Sequence, residues 1–216
     1  GQRCSALRVL CVQEDIADRV VELLVGHMDE LVVGDPAQLA TDVGPAIDES
    51  ARRVLEDHVA RMAKEATILH RSTMGGDADG GTFFAPTLIE IDSVDALERE
   101  VFGPVLHVLR FRGRDLVRTI DAVNATGYGL TMGLHSRIDG RARELAARSG
   151  AGNLYINRNM IGAVVGVQPF GGRGLSGTGP KAGGPHYLPR FGTEMTVSNN
   201  IAAVGGNASL LSLESD

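Results

Sequence analysis

Hydrophobic and polar positions along this chain alternate between two spacings, one typical of strands and one typical of helices. Residues 7–12 form a short apolar run rich in branched side chains, and residues 15–25 repeat apolar positions at helical intervals. Further strands are predicted at residues 66–70, 83–91, 105–111, 130–135 and 153–157. Further helices are predicted from Ser50 onward and at residues 115–124 and 140–149. This alternation predicts an α/β fold, in which a mostly parallel sheet is covered by helices.

Glycine and proline interrupt the regular pattern after Gly162. Residues 166–185 contain eight glycines and three prolines, too many for a helix or a central strand. A long loop inside a compact domain is usually functional. Residues 195–204 then alternate as a β-ribbon does, and a polar tail follows. We therefore expect one large domain over residues 1–194 and a separate ribbon and tail over residues 195–216.

Composition and charge narrow the class of protein. The 216 residues are 43% hydrophobic, and 21 basic against 27 acidic side chains leave a net charge of −6, which does not suggest a nucleic-acid surface. No apolar run approaches the roughly 20 residues that span a bilayer, and no signal-peptide pattern is present. With only two cysteines, a disulfide-stapled secreted fold is disfavoured, and a cytoplasmic location is expected. The start at G-Q-R-C, without Met, suggests a piece of a longer protein.

The string G-R-G-L-S-G at residues 172–177 matches the dinucleotide fingerprint G-x-G-x-x-G. That fingerprint binds a pyrophosphate only where a helix begins at its end. Glycines and prolines at residues 179–185 prevent such a helix, so a Rossmann site is disfavoured here. An extended loop that presents backbone N–H groups to an anion is the better interpretation, and a merely flexible loop is the alternative.

The chain offers one candidate nucleophile and no metal site. Its six histidines have no metal-ligand spacing, and D-A-D-G at residues 77–80 lacks the pattern of a calcium loop, so it is taken as a turn. Cys11 lies in the middle of a predicted strand and is expected to be inert. Cys4 is flanked by Arg3 and Ser5, and a thiol close to a cation and to unpaired backbone N–H groups can act as a nucleophile.

Four strings in the same order resemble motifs of the aldehyde dehydrogenase superfamily. They are G-Q-R-C at residues 1–4, E-V-F-G-P-V at 100–105, Y-G-L-T at 128–131 and P-F-G-G at 169–172. The resemblance covers roughly residues 1–197 and implies that Cys4 is the catalytic nucleophile. It also implies a cofactor site at Glu100, which would hold the nicotinamide ribose, at Phe102, which would border the nicotinamide, and at Leu130.

A narrower resemblance concerns residues 168–188, which are similar to the substrate loop of L-glutamate γ-semialdehyde (1-pyrroline-5-carboxylate) dehydrogenases. The tail at residues 204–211 is similar to the end of the bifunctional proline utilization A flavoenzymes. This resemblance implies NAD-dependent oxidation of L-glutamate γ-semialdehyde to glutamate, with NADP left open. Any FAD would belong to a proline dehydrogenase domain outside this chain. Residues 195–204 would form an oligomerisation flap that pairs with another copy of the chain.

The narrower resemblance also implies a set of substrate-binding residues. Ser5 and the backbone amides of Gly183 and Gly184 would hold the substrate α-carboxylate. The ring of Phe191 would pack on the methylene chain of the substrate, and Phe170 belongs to the same site. Glycine suits this role, because a backbone N–H without a neighbouring Cβ can approach an anion closely.

The chain also departs from the family. The general-base Glu, the oxyanion-stabilising Asn and nearly all of the NAD-binding domain precede the nucleophile in the family, so the isolated chain is expected to be almost inactive. Three alternatives stay open at this point. They are an aldehyde dehydrogenase of other specificity, a non-catalytic assembly module, and a cysteine hydrolase, the last disfavoured because no His is placed near Cys4 by sequence logic.

Overall fold

A four-stranded sheet forms the centre of the computed structural model, which describes residues 1–75, 80–164, 166–200 and 203. Its strands are β1 (Val9–Gln13), β2 (Thr67–Arg71), β3 (Thr87–Ile91) and β4 (Val105–Phe111). They lie in the order β1-β4-β3-β2, with β1, β4 and β3 parallel and β2 antiparallel to β3. The predicted α/β fold with a mostly parallel sheet is confirmed.

Within the described residues, the chain forms four α-helices, of which the first and the second cover opposite faces of this sheet. They are α1 (Glu14–Asp29), α2 (Glu49–Glu65), α3 (Leu116–Ala125) and α4 (Asp139–Arg148). The helix α2 begins where the Asp48 side chain accepts a hydrogen bond from the Ala51 N–H at 2.7 Å, which satisfies one of the free N–H groups of the first turn. The sequence pattern predicted all four helices, with starts within one residue of those observed.

Two adjacent residues of β3 show how the core divides. Leu88 and Ile89 are both fully buried, and because successive side chains of a strand point to opposite faces, they enter different clusters. Leu88 packs with Val12, Ala17 and Val108 on the side of α1. Ile89 belongs to the cluster on the side of α2. The strand is therefore covered on both faces, as expected for a central strand of a mostly parallel sheet.

Four short strands follow the main sheet. β5 (Tyr128–Gly129) pairs with β8 (Arg173–Gly174) in antiparallel fashion, and β6 (Thr131–Leu134) pairs with β7 (Asn153–Ile156) in parallel. The strand predicted at residues 83–91 begins only at Thr87, directly after Pro86, because proline has no N–H to donate to a neighbouring strand.

The chain divides into two compact units, Gly1–Gly184 and Pro185–Asp216. In the second unit, a 3₁₀ turn spans Leu188–Phe191. Residues 195–200 form no strand and are exposed, contrary to the predicted β-ribbon, because a strand needs a partner for its backbone hydrogen bonds. The rest of the predicted flap and tail, residues 201–202 and 204–216, lies outside the described residues. The domain boundary at residues 194 and 195 stays a prediction. In the part of the chain that the structure describes, no helix is long and apolar enough to cross a membrane.

Candidate active site

The segments that precede β1 and β4 meet at one edge of the sheet. These strands are parallel neighbours, so the residues leading into them come together although they are about a hundred positions apart. The Gln2 side chain joins them, because its Nε2 donates to the Phe102 carbonyl at 3.4 Å. Its Oε1 accepts from the Ile47 N–H at 2.8 Å. The strings G-Q-R-C and E-V-F-G-P-V are therefore in direct contact.

The backbones of Gly1 and Gly103 approach so closely that a side chain on Gly1 would meet the Gly103 carbonyl, and Gly103 in turn packs against the Leu55 side chain. A Cβ on Gly1 would lie 2.3 Å from the Gly103 carbonyl oxygen, and a Cβ on Gly103 would lie 2.5 Å from two carbons of Leu55. Both distances are shorter than any real Cβ contact. The glycine of the first string is thus explained by its packing on the second string, and the glycine of the second string by its packing on Leu55 of α2.

Cys4 lies in a tight turn formed by residues 3–6, in which the Ala6 N–H donates to the Arg3 carbonyl at 3.1 Å. Its thiol is exposed, whereas Cys11 lies in β1 and is partly buried. Burial raises the pKa of the Cys11 thiol to about 11, and because the thiolate is the reactive form, this cysteine is inert at neutral pH. Of the two cysteines, Cys4 has the access that a nucleophile needs.

Arg8, which directly precedes β1, holds the backbone that leads into Cys4. Its Nη1 donates to the Gly1 carbonyl at 2.6 Å and to the Gly103 carbonyl at 3.4 Å, and its Nη2 donates to the Arg3 carbonyl at 2.8 Å. Sequence reasoning missed this residue, because an arginine at the start of a strand carries no motif signal of its own.

The same guanidinium contacts both predicted cofactor residues of the E-V-F-G-P-V string. The Arg8 Nε donates to Glu100 Oε1 at 3.3 Å, in an ion pair whose side chains are 19% and 39% exposed. The Arg8 Cζ lies 4.7 Å from the centroid of the Phe102 ring, within the range of a cation–π contact. Glu100 and Phe102 are thus brought together with the Cys4 turn, as the family motifs imply.

A pair of buried histidines lies against the backbone of Arg8, and one of them bonds to its carbonyl. The Arg8 carbonyl accepts from the His107 backbone N–H at 3.0 Å and contacts His107 Nδ1 at 3.1 Å. A carbonyl oxygen only accepts, so Nδ1 carries the proton and Nε2 of neutral His107 is the acceptor. His58 Nε2, 2.8 Å away, must then be the donor to His107. Burial lowers the pKa of both histidines, that of His58 to about 4, which keeps this arrangement neutral.

Ser5 is buried, and its Oγ accepts a hydrogen bond from the Gly162 N–H at 3.0 Å. The Tyr155 hydroxyl donates to the Gly162 carbonyl at 2.6 Å. The N–H of Gly162 is therefore held by Ser5, and its carbonyl is held by Tyr155 of β7. The hydroxyl hydrogen of Ser5 is not used in this contact, so it can still donate to a ligand.

The glycine-rich loop of residues 171–181 is closed by a pair of backbone hydrogen bonds between Phe170 and Ala182, at 3.1 and 2.9 Å. Asn153 secures the loop from inside, because its Nδ2 donates to the Pro169 carbonyl at 3.1 Å and its Oδ1 accepts from the Gly171 N–H at 3.1 Å. Lys181 Nζ also donates to Asn153 Oδ1, and to the Gly152 carbonyl. Sequence reasoning missed Asn153 and Lys181, since neither belongs to a glycine motif.

The two glycines predicted to hold a carboxylate differ in their conformation. Gly183 has φ of +71°, a region that favours glycine. The Gly184 N–H donates to the Lys181 carbonyl at 3.0 Å, so in this conformation that amide is used by the turn that follows the loop. A role of Gly184 in binding an anion would therefore require this bond to be shared or exchanged.

The remaining predicted residues lie elsewhere in the fold. Leu130, between β5 and β6, is half-buried, and its carbonyl accepts from the Asn153 N–H at 3.0 Å. Phe191 belongs to the second unit, where its ring stacks edge-on against Tyr187 with centroids 5.4 Å apart. No helix begins among residues 178–185, as the glycines and prolines of that segment predicted. Of the predicted D-A-D-G turn, residues 77–79 lie outside the described residues.

Comparison with known proteins agrees with this geometry. A family model described as the aldehyde dehydrogenase family matches residues 1–197. The bifunctional protein PutA of Escherichia coli (strain K12) is 52% identical over 196 residues, which cover 88% of this chain and 15% of that protein. A 1-pyrroline-5-carboxylate dehydrogenase of Geobacillus kaustophilus is 38% identical over 202 residues, which cover 92% of this chain and 38% of that protein.

A solved structure shows the same fold. A mutant of proline utilization A from Bradyrhizobium japonicum superposes with a TM-score of 0.88 at 56% identity, covering 95% of this chain and 21% of that one. The chain therefore spans well under half the length of each of these three proteins.

Proposed function

The chain belongs to the aldehyde dehydrogenase family, and we propose that it is the part of a longer enzyme that carries the nucleophile for the NAD-dependent oxidation of L-glutamate γ-semialdehyde to glutamate. The observation that supports this most directly is the contact of the Cys4 turn with Glu100 and Phe102 through Arg8. Through this arginine, the backbone that leads into Cys4 is linked to the carboxylate and to the aromatic ring that the family motifs assign to the cofactor site.

Cys4 is the group that forms the covalent bond in this proposal. Its thiolate adds to the aldehyde carbon, and the carbonyl oxygen becomes an oxyanion that the Cys4 backbone N–H can stabilise. A nicotinamide cofactor held at Glu100 and Phe102 would supply the acceptor for the hydride that leaves the tetrahedral carbon. The thioester that remains on Cys4 is then hydrolysed by water, which releases the carboxylate product and restores the thiol.

Glu100 and Phe102 fit a nicotinamide cofactor. Arg8 contacts Oε1 of Glu100, and the carboxylate is 39% exposed, so its other oxygen can accept hydrogen bonds from ribose hydroxyls. The Phe102 residue is 40% exposed, and its ring offers a flat apolar surface to a planar heterocycle. NAD is the cofactor we propose, and Leu130 is assigned to the same site by the family motif.

Ser5 and the glycine-rich loop account for the proposed substrate. Glutamate γ-semialdehyde carries an α-carboxylate, and the Ser5 hydroxyl next to Cys4 can donate to it, together with the amides of Gly183 and Gly184. Phe170 belongs to the same proposed site, and a role of Phe191 on the methylene chain of the substrate stays a prediction from the family resemblance. Support comes from the relatives, which include proteins named 1-pyrroline-5-carboxylate dehydrogenase.

The location of the enzyme, its assembly and its further domains are also proposals. We expect a cytoplasmic enzyme that assembles with copies of itself through residues 195–204, with any FAD in a proline dehydrogenase domain outside this chain. We expect the 216 residues alone to oxidise aldehydes poorly, because the family's general base and oxyanion Asn precede the nucleophile and have no counterpart here.

The decisive experiment compares two cysteine variants of the full-length protein. Cys4→Ala should abolish the formation of NADH from glutamate γ-semialdehyde, whereas Cys11→Ala should leave it largely intact, because only Cys4 forms the thioester. Equal losses in both variants would contradict the proposal. Activity on simple aldehydes without preference for glutamate γ-semialdehyde would instead assign another substrate to the same chemistry.

A further inference from the structure

We propose that Arg8 is a positioning residue that fixes the Cys4 turn and the Glu100 carboxylate relative to one another. This inference rests on the proposed roles of Cys4 and Glu100, and it adds a residue that the family motifs did not point to. If so, Arg8 couples the nucleophile to the cofactor site. A change at Arg8 should therefore affect both the order of the Cys4 turn and the binding of the cofactor.

The first step of the argument is the number of groups that one guanidinium holds. Arginine presents five N–H donors in a rigid fork, and here the fork spans the Gly1 and Arg3 carbonyls on one side and Glu100 Oε1 on the other. The Arg8 side chain is only 19% exposed, so water competes little for these donors. An arginine that served only as a surface charge would not make contacts in three directions.

The second step is that Arg8 binds only one of the two carboxylate oxygens of Glu100. Arg8 donates to Oε1 and, within the described residues, Oε2 receives no donor. The carboxylate is thus held by one oxygen and presents the other, as a group that binds ribose hydroxyls should be. The contact of Arg8 with the Phe102 ring orients the neighbouring aromatic surface at the same time.

The third step is the rigidity of Arg8 itself. Its carbonyl is bound by the backbone N–H and by the Nδ1–H of buried His107, and the next residue enters β1. The base of the side chain is therefore fixed by the central sheet. Because its backbone is fixed, the guanidinium holds the exposed Cys4 turn in a defined position relative to the sheet.

The test compares Arg8→Lys with Arg110→Lys in the full-length protein. Lysine keeps the positive charge but loses the planar fork. Arg110 is a matched control, because its guanidinium likewise forms ion pairs, with Asp18 and Glu90, but it lies on β4 and not ahead of β1. Hydrogen exchange followed by mass spectrometry reports on the turn, and calorimetry reports on the binding of NAD.

In Arg8→Lys we expect faster hydrogen exchange in peptides covering residues 1–7 and 99–104, with unchanged exchange in β3. The dissociation constant and the KM for NAD should rise about tenfold, the loss expected for one charge-assisted hydrogen bond. In a Glu100→Gln background the same change should weaken NAD binding no further, yet still speed exchange in residues 1–7. Arg110→Lys should alter none of these quantities.

Unchanged exchange in residues 1–7, or unchanged NAD affinity, in a folded Arg8→Lys protein would overturn the assignment. Faster exchange throughout the sheet would also overturn it, because Arg8 would then be needed for folding rather than for positioning. If Arg8→Lys does not fold, Arg8→Gln is tested instead. If neither variant folds, Arg8 is needed for folding, and the positioning assignment is likewise overturned. If the full-length protein oxidises no aldehyde, the proposed function fails, while the exchange measurement still decides the role of Arg8.

Discussion

His58 Nε2 and His107 Nε2 lie 2.8 Å apart in the interior of the chain, one on α2 and the other on β4. The Arg8 carbonyl determines the direction of this hydrogen bond, because it obliges His107 to carry its proton on Nδ1. Two neutral imidazoles are therefore part of the support beneath the candidate active site, and adding protons to both would bring two N–H groups face to face.

The pair makes stability depend on pH. Burial, followed by the neighbouring His107 and two arginines, lowers the pKa of His58 from 6.5 to about 4. Between these values the unfolded chain holds more protons than the folded one, so the free energy of unfolding decreases as the pH falls. The loss should reach on the order of 3 kcal/mol between pH 7 and about pH 4. Urea unfolding of the chain across this range measures it.

His58→Gln is the control for this prediction. Its amide can still donate to His107 Nε2 but does not titrate, so the dependence of stability on pH over this range should be smaller. An equally steep dependence in the variant would assign the effect to other groups, such as surface carboxylates.

Ser5→Ala in the full-length protein should lower kcat/KM for glutamate γ-semialdehyde by roughly one to two powers of ten, because a hydrogen bond to a charged group contributes about 1.5–3 kcal/mol. The loss for propionaldehyde, which has no carboxylate, should be much smaller. Steady-state kinetics with both substrates measure the ratio.

Tyr155→Phe separates two explanations of a Ser5 effect. It removes the other hydrogen bond to Gly162 without touching a group proposed to bind substrate. If it reproduces the change in substrate preference of Ser5→Ala, then Ser5 acts only by holding Gly162, and the role in carboxylate binding is wrong.

Asn153→Ala should loosen the glycine-rich loop, because it removes the side chain that bonds to Pro169, Gly171 and Lys181. We expect the KM for glutamate γ-semialdehyde to rise about tenfold, the effect of losing roughly 1–2 kcal/mol of loop ordering. The KM for NAD should change little. Asn124→Ala is a suitable comparison, since Asn124 likewise bridges backbone groups, at Arg148 and Gly150, but lies outside the loop. A larger KM change in that variant would contradict the prediction.

Gly103→Ala and Gly26→Ala should change stability in opposite directions. A Cβ at Gly103 would press on the buried Leu55 side chain, and overpacking of this kind costs about 1–3 kcal/mol. A Cβ at Gly26, inside α1, meets nothing within 4 Å, so alanine there should stabilise the helix by about 0.5–1 kcal/mol. Chemical denaturation of the two variants measures the change in the free energy of unfolding, which should be negative for Gly103→Ala and positive for Gly26→Ala.

Deletion of residues 195–216 should reduce the oligomer size of the full-length protein or promote its aggregation. The side chains of Met195 and Val197 are 84% and 76% exposed in the single chain, and exposed apolar side chains favour association. Deletion of residues 209–216 alone, which spares residues 195–204, should leave the oligomer unchanged. Sedimentation that shows the same oligomer after both deletions would refute the flap.

The amino-acid sequence by itself determined the order and kind of the elements and the identity of the chemical groups. Apolar spacing encodes local geometry, so the four helices and the strands of the sheet were predictable from it. The candidate chemical groups could be identified as well, because Cys4, Glu100 and Phe102 each stand in a short string with its own pattern of residue types.

Only the tertiary structure decided how those groups are held. Arg8 meets Glu100 across 92 positions, and Ser5 meets Gly162 across 157. Such contacts follow from the strand order β1-β4-β3-β2 and from loop closure, which no local pattern encodes. The use of the Gly184 amide within its own turn, and the absence of a strand at residues 195–200, were likewise out of reach. Each depends on which partner a backbone group finds, and partners are chosen in three dimensions.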